Sequence, residues 1–303
     1  MKRLSLIAIS LFSLIALTGV ARADVPAKQE GRVWYDQNLT LAFTPQWSFT
    51  VMPGMRFEYA RSREDVAGVQ FLEFFIGPNF TYKLGNLTLK GSLWYYYMGY
   101  PTRGRQALQP STNYTTLDCT KLSPTASNCL STYSFSHNLE IIPAVEYRLG
   151  RWSFYDRIIF HNTFYADTYN ADINTDALKL DVGSQRWGWG TVLRELLQAR
   201  YALTDRLGVL LADEVFFGIA EDSDTSKIAG GAGYKAPGYW KDGFRQNRVY
   251  AGIDFKVTPA LTVTPMYMLE MDVSPTGSGD ITDVSENLFV IVTYVAKMWD
   301  DKK

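Results

Sequence analysis

Side chains that commonly carry out catalysis are scarce in this sequence. It contains two histidines, His137 and His161, and residues 134–138 read Ser-Phe-Ser-His-Asn. A serine activated by a histidine could hydrolyse an ester if both side chains lay on one face within hydrogen-bond reach. Strand alternation places His137 and Ser136 on opposite faces. We therefore predict no catalytic residue and expect both histidines to be structural, with His161 pointing inward near Glu140.

Metal and cofactor sites are not predicted either. Two histidines and two cysteines do not supply a convergent set of ligands. The glycine-rich segment 228–233 is not followed by the Lys-Ser or Lys-Thr of a phosphate loop. Cys119 and Cys129 lie in one polar segment, where a disulfide could stiffen a loop of an exported protein. The net charge of -1 gives no case for a nucleic-acid surface, so no nucleic-acid partner is expected.

The remaining candidate residues are arginines and glutamates that alternate with apolar residues. Arg56 and Glu58, for example, are separated and flanked by Met55, Phe57 and Tyr59. Successive side chains of a strand point to opposite faces, so such charges collect on one face. We interpret the following charges as the lining of an enclosed polar interior: Arg56, Glu58, Glu73, Glu146, Arg148, Arg157, Arg194, Arg200, Glu214, Arg248 and Glu270.

Eleven segments with this two-residue period are predicted to be strands. They lie near residues 32–43, 47–59, 72–84, 86–100, 134–149, 151–167, 186–203, 206–219, 244–257, 261–272 and 286–299. Many exceed the usual globular strand of about five or six residues and suit the roughly 9 to 11 that a tilted strand needs to cross a bilayer. No apolar run after residue 23 is long enough for a membrane-spanning helix.

The connections between these segments alternate between short and long, which distinguishes a barrel from a two-layered sandwich. Short corners lie at 44–46, 85–86, 150–151, 204–205 and 258–259, and long polar stretches at 61–68, 101–133, 168–185, 220–243 and 273–285. Short turns opposite long outer loops are typical of outer-membrane barrels. Aromatic residues just before corners should form a lower girdle at the membrane interface: Tyr82, Tyr147, Tyr201 and Phe255.

The predicted number of strands conflicts with the expected architecture. The first and last segments both run towards the short-corner end, which gives an odd number of strands, whereas bacterial barrels are even-numbered. We therefore predict an all-β, transmembrane, up-and-down antiparallel β-barrel of about twelve strands, with an extra strand hidden in residues 24–36. The alternative is a ten-stranded wall with the N-terminal segment inside.

The N-terminus predicts export. Lys2 and Arg3 precede an apolar run over residues 4–20, and Ala21-Arg22-Ala23 then forms a cleavage pattern. We expect a signal peptide at 1–23 and one outer-membrane barrel domain at 24–303. The expected partners are outer-membrane lipids and the barrel-assembly machinery, which usually reads a C-terminal aromatic residue. Here Trp299 is followed by four charged residues, so that signal is imperfect.

Four segments carry a resemblance to a known family: 194–200, 213–217, 244–255 and 261–268. They resemble the Gram-negative outer-membrane barrels grouped as domain of unknown function 2490. The resemblance implies a barrel in the outer membrane and no established reaction. It supports location and fold only.

Three functions remain open. A passive channel for small hydrophilic solutes would use the opposed Arg and Glu groups to select its solute. A structural or surface-interaction barrel would use the same groups as an ion-paired plug. An outer-membrane lipid hydrolase is the third alternative. No cofactor is implied by any of them, and the solute of a channel is not specified by the residues.

Overall fold

A computed structural model describes residues 28–61, 68–100, 134–167, 171–174, 179–182, 186–221, 243–273 and 281–299. The expected signal peptide and the cysteines Cys119 and Cys129 lie outside these residues. No helix in the described part of the chain is long and apolar enough to cross a membrane.

Eleven long strands form one closed barrel wall, which confirms the predicted fold class. They are β1 (Lys28–Ala42), β2 (Trp47–Arg61), β3 (Gly68–Leu84), β4 (Leu87–Tyr100), β5 (Ser134–Leu149), β6 (Trp152–Asp167), β9 (Arg186–Ala202), β10 (Leu207–Glu221), β11 (Gly243–Lys256), β12 (Leu261–Val273) and β13 (Ile281–Lys297). Two short strands, β7 (Ala171–Asn174) and β8 (Lys179–Val182), pair only with each other. Each wall strand coincides with one of the eleven alternating segments of the sequence.

The barrel closes through a parallel pair of strands. Tyr35 of β1 lies beside Val290 of β13, and Leu39 lies beside Tyr294, so both strands run the same way. Every other pair in the wall is antiparallel. An odd number of alternating strands leaves the first and last parallel, and this pairing closes the wall at eleven. It needs neither a hidden strand nor a segment placed in the lumen.

The short corners are built in two ways. At Gly85 and Gly150 two-residue turns require a positive φ, 61° and 60°, which glycine adopts without a steric penalty. At the other three corners a threonine holds the turn, because its Oγ1 accepts hydrogen bonds from the backbone N–H groups two and three residues later. The threonines are Thr44, Thr204 and Thr258, with N···O distances of 2.9 to 3.2 Å.

The outer surface of the wall is predominantly apolar and the inner surface is mixed. Leu72, Phe74 and Phe80 of β3 are exposed, whereas Glu73 and Phe75 between them are buried. Near the short corners Tyr82, Tyr147 and Phe255 are exposed on the outside, and the half-buried Tyr201 packs against Trp152 with 4.8 Å between ring centroids. This exterior is that of a barrel that faces hydrocarbon between aromatic girdles.

The parallel closure predicts a specific pattern of cross-links. In a background with Cys119 and Cys129 replaced by serine, we expect Tyr35→Cys/Val290→Cys and Leu39→Cys/Tyr294→Cys each to form a disulfide on mild oxidation, because both pairs are in register. The measurement is the altered mobility of the cross-linked protein on a denaturing gel.

The matched control is Tyr35→Cys/Tyr294→Cys, whose positions are offset by four residues along β13 and should stay reduced. Cross-linking of one in-register pair without the other would show that the closing pair is not parallel.

Candidate functional site

One group of inward-facing charges is centred on Arg56 of β2. Its Nη1 donates to Asp36 of β1 at 2.7 Å, and its Nη2 forms an ion pair with Glu73 of β3. The guanidinium carbon also lies 3.9 Å from the ring centroid of Trp34, a cation–π contact. Tyr96 of β4 donates its hydroxyl to Glu73 at 2.9 Å. These contacts join four consecutive strands.

A second group, on the opposite wall, is centred on Glu214 of β10. Its Oε1 accepts from Arg194 of β9 at 2.8 Å and from Arg157 of β6 at 3.3 Å. Its Oε2 accepts the hydroxyl of Tyr250 at 2.7 Å and lies 3.8 Å from Nη1 of Arg248. One carboxylate is thus surrounded by three arginines and a tyrosine.

Two links join the groups into a closed circuit. On one side Arg248 donates to Glu270 of β12 at 2.6 Å, and Glu270 accepts from Arg32 of β1 at 3.0 Å. On the other side Arg194 lies 3.3 Å from Glu140 of β5, whose Oε1 is 2.7 Å from Nδ1 of His161. The His161 ring lies 5.8 Å from that of Tyr96.

We call this circuit the charge belt. Its members are Arg32, Asp36, Arg56, Glu73, Tyr96, Glu140, His161, Arg194, Glu214, Arg248 and Glu270. Every wall strand except β13 contributes a member, and β13 supplies Phe289, whose ring centroid lies 5.3 Å from the Arg56 guanidinium. Because charges inside a protein are costly without partners, the alternation of sign around the belt is what makes their burial tolerable.

An apolar cluster fills the interior beside the belt, and the sequence analysis did not foresee it. We call it the interior core: Trp34, Leu196, Leu210, Ala212, Tyr250, Met266, Met268 and Phe289. All of these side chains occupy inward positions on β1 and β9 to β13. The expectation of a polar interior is therefore wrong for this half of the barrel.

The charge belt and the interior core close the lumen. Met268 is 0 % exposed, Glu214 1 % and Arg56 4 %, although all three point away from the membrane. Side chains that line a water-filled passage would be reached by water. Within the described residues, the middle of the barrel is therefore packed rather than hollow.

Among the described residues, inward arginines near the short turns are more exposed than the arginines of the belt. There Glu146 accepts from Lys90 at 2.6 Å and from Arg148 at 2.6 Å, and Arg200 lies 3.4 Å from Asp254. The side chains of Arg148 and Arg200 are 65 % and 45 % exposed. We call this region the mouth. The arginines of its ion pairs are solvated, unlike those of the belt, whereas the carboxylates of Glu146 and Asp254 are 10 % and 13 % exposed.

The charges predicted from sequence thus separate into two sets. Six belong to the belt and Arg157 contacts it: Arg56, Glu73, Arg194, Glu214, Arg248 and Glu270. Glu146, Arg148 and Arg200 lie in the mouth. The Arg157 side chain reaches past β9 to Glu214. The side chain of Glu58 lies outside the described part of the structure.

Several belt residues were absent from the predicted set. Arg32 and Asp36 were missed because the N-terminal segment was not assigned a face, although their even spacing with Trp34 and Asn38 carries that signal. Tyr96 of the belt, and Trp34 of the interior core, were missed because aromatic residues occur on both faces of these strands. Only the folded wall shows that Tyr96 donates to Glu73 and that Trp34 contacts the guanidinium group of Arg56.

The serine and histidine of β5 do not form a catalytic pair with each other. Ser136 points inward, is buried, and accepts a hydrogen bond from Asn138 at 3.2 Å. His137 points outward, with Nδ1 2.6 Å from the hydroxyl of Tyr95. In the described ranges there is also no cluster of three or more His, Cys, Asp or Glu residues suited to a metal ion.

Comparison with known families identifies the group to which this barrel belongs. Residues 31–279 match the family described as "Protein of unknown function (DUF2490)". The chain belongs to this family. The match spans the wall from β1 to the end of β12. A comparison with curated protein sequences gives no match.

Several solved structures are similar in outline. A FadL homologue of Pseudomonas aeruginosa is 10 % identical with a TM-score of 0.36, and the match covers 78 % of this chain and 59 % of that one. The ferric enterobactin receptor of the same organism is 11 % identical with a TM-score of 0.32, covering 76 % and 35 %. The outer membrane channel DcaP of Acinetobacter baumannii is 7 % identical with a TM-score of 0.27, covering 78 % of each chain. These values carry no functional conclusion.

The belt should be sensitive to loss of a single carboxylate. Glu214→Gln removes the buried carboxylate that Arg157, Arg194 and Arg248 share, so we expect the free energy of unfolding to fall by about 3 kcal/mol. Equilibrium unfolding of the refolded protein in phosphatidylcholine vesicles, followed by tryptophan fluorescence, measures this change.

Arg148→Ala is the matched control, because it removes the 65 % exposed partner of an ion pair in the mouth and leaves Lys90 beside Glu146. Its cost should stay below about 1 kcal/mol. Equal losses in the two variants would show that belt and mouth do not differ in burial.

Proposed function

We propose that this protein is an outer-membrane β-barrel with a closed interior, which serves as a structural or surface-interaction barrel rather than as an open passive channel. The observation that carries the proposal is the packing of the charge belt and the interior core across the lumen. An apolar cluster beside fully paired charges offers no hydrated path for a small polar solute. The ion pairs join neighbouring wall strands, or strands that are two apart in the wall.

The location in the outer membrane is part of this proposal. It is supported by the export pattern at residues 1–23, the apolar exterior and the aromatic residues near the short corners. Short turns then face the periplasm and the long connections face the cell surface. Outer-membrane lipids would contact the exterior, and the barrel-assembly machinery would insert the chain.

A gated channel is the second candidate, and the mouth favours it. Its exposed inward side chains include the cations Lys83, Arg148, Arg200 and Lys256, and the less exposed carboxylates of Glu146 and Asp254 lie beside them. A positively charged vestibule would attract small anions from the periplasm. Passage beyond it requires the belt to open.

Conductance across a planar lipid bilayer tests the closed-barrel proposal. The wild-type protein should give no unitary current steps. The variant Asp36→Asn/Arg56→Ala/Glu73→Gln removes the three charges centred on Arg56 together, and the lost volume should open a path that yields steps.

The matched control is Lys90→Ala/Glu146→Gln/Arg148→Ala, which removes two cations and one anion from the mouth and should remain silent. Sustained unitary steps from the wild-type protein would overturn the closed barrel in favour of a channel. A silent belt variant that migrates as a folded barrel would eliminate the belt as a gate.

A further inference from the structure

Three carboxylates face outward at mid-height on three adjacent strands. Asp156 of β6 follows the exposed Phe154 on the outer face, Glu195 of β9 shares its face with Trp189, and Asp213 of β10 follows the exposed Leu211. Asn247 of β11 donates to Asp213 at 2.6 Å from the next strand. We call Asp156, Glu195, Asp213 and Asn247 the acidic patch.

The register makes the patch compact. Asp156 and Asp213 lie on either side of Leu197 in one row across the wall. Glu195 and Asn247 lie on either side of Val215 in the next row. The four polar side chains therefore form a zigzag over four neighbouring strands.

The patch lies at the level of the hydrocarbon. Along β9, Glu195 is equally distant in sequence from Tyr201 near the short-turn end and from Trp189 near the other end. Charged side chains on the lipid face of a barrel destabilise it most at this depth. The outer faces of β2 and β3 show the usual alternative, because their central positions are all apolar: Phe49, Val51, Pro53, Met55, Leu72, Phe74, Ile76 and Pro78.

The chain supplies no described outward cation next to these carboxylates. Their neighbours in the two rows are the aliphatic residues Ile158, Leu197, Val215 and Val249. Oδ1 of Asp156 is buried and has no hydrogen-bond partner among the described residues. An ionisable side chain in such a position is by default a functional one that needs an external partner.

An apolar groove of about 600 Å³ lies directly below the patch on the same outer face. The groove lies along the row beneath Asp213. In that row the small side chains of Ala199 and Ala251, on either side of Leu211, leave space. Trp152, Tyr201 and Tyr267 line it with larger rings. The volume lies in the range of small-molecule sites, roughly 300 to 1,000 Å³.

We infer that the groove and the acidic patch together bind a small amphipathic cation from within the membrane, with its apolar tail in the groove and its ammonium group at the edge of the acidic patch next to Asp213. Charge complementarity selects this occupant. A lipid acyl chain alone would fill the groove but leave the carboxylates without a counter-ion. A second copy of the chain would present outer rows that, in the described residues, carry no cation at this height.

The test is equilibrium binding of a dansyl-tagged decylammonium probe to the refolded protein in phosphatidylcholine vesicles. We expect a saturable component above partitioning into protein-free vesicles, with tryptophan-to-dansyl energy transfer. In Asp156→Asn/Asp213→Asn the affinity should fall by roughly ten-fold or more, because charge-assisted contacts are lost. This variant should fold, since it removes charge from a lipid-facing surface.

Two further variants and a second probe complete the experiment. Glu286→Gln removes an exposed carboxylate from β13, away from the patch, and should bind the probe like the wild type. Ala251→Phe fills the groove while keeping the carboxylates and should also weaken binding. A dansyl-tagged decanoate should show no saturable component. Equal binding of the two probes, or an unchanged affinity in Asp156→Asn/Asp213→Asn, would overturn the inference.

Discussion

Pairing of buried charges is the constraint on which the interior of this barrel depends. Arginine and glutamate side chains that project into a closed wall lose water, and each then needs an opposite charge within reach. The belt meets this requirement by alternating sign from strand to strand over β1 to β3 and over β9 to β12. Glu214 accepts from Arg157 and Arg194, and Arg194 in turn contacts Glu140. Aromatic rings then cover the flat faces of the guanidinium groups.

The parallel closure of the wall is tied to the same constraint. β1 carries both Arg32, which reaches Glu270 on one side, and Asp36, which reaches Arg56 on the other. Trp34 lies between them, with the guanidinium groups of Arg56 and Arg248 at 3.9 and 4.8 Å from its ring centroid. Placing β1 between β13 and β2 therefore completes the belt. A ten-stranded wall without β1 would leave Glu270 and Arg56 each short of a partner.

Charged side chains have different surroundings on the inner and outer surfaces of the wall. Inside, a buried carboxylate such as Glu214 is enclosed by cations of the same chain. Outside, Asp156, Glu195 and Asp213 lie together among aliphatic neighbours with only Asn247 as a polar companion. The interior charges are thus paired within the chain, whereas the described outer carboxylates have no cation of the chain beside them.

The sequence by itself determined the strands, their faces and the corners, because a period of two and residues such as Thr204 or Gly150 act locally. It also determined that Arg56, Glu73 and Glu214 face inward, since alternation fixes the side of a sheet. Only the tertiary structure decided which charges meet, as Arg157 and Glu214 do across β9, and that Met268 and Phe289 close the lumen. Contacts inside a barrel join residues that are far apart in sequence. Alternation shows which charges face inward, but it does not show which of several opposite charges a long side chain will reach. For the same reason the odd strand count became intelligible only once β1 was seen beside β13.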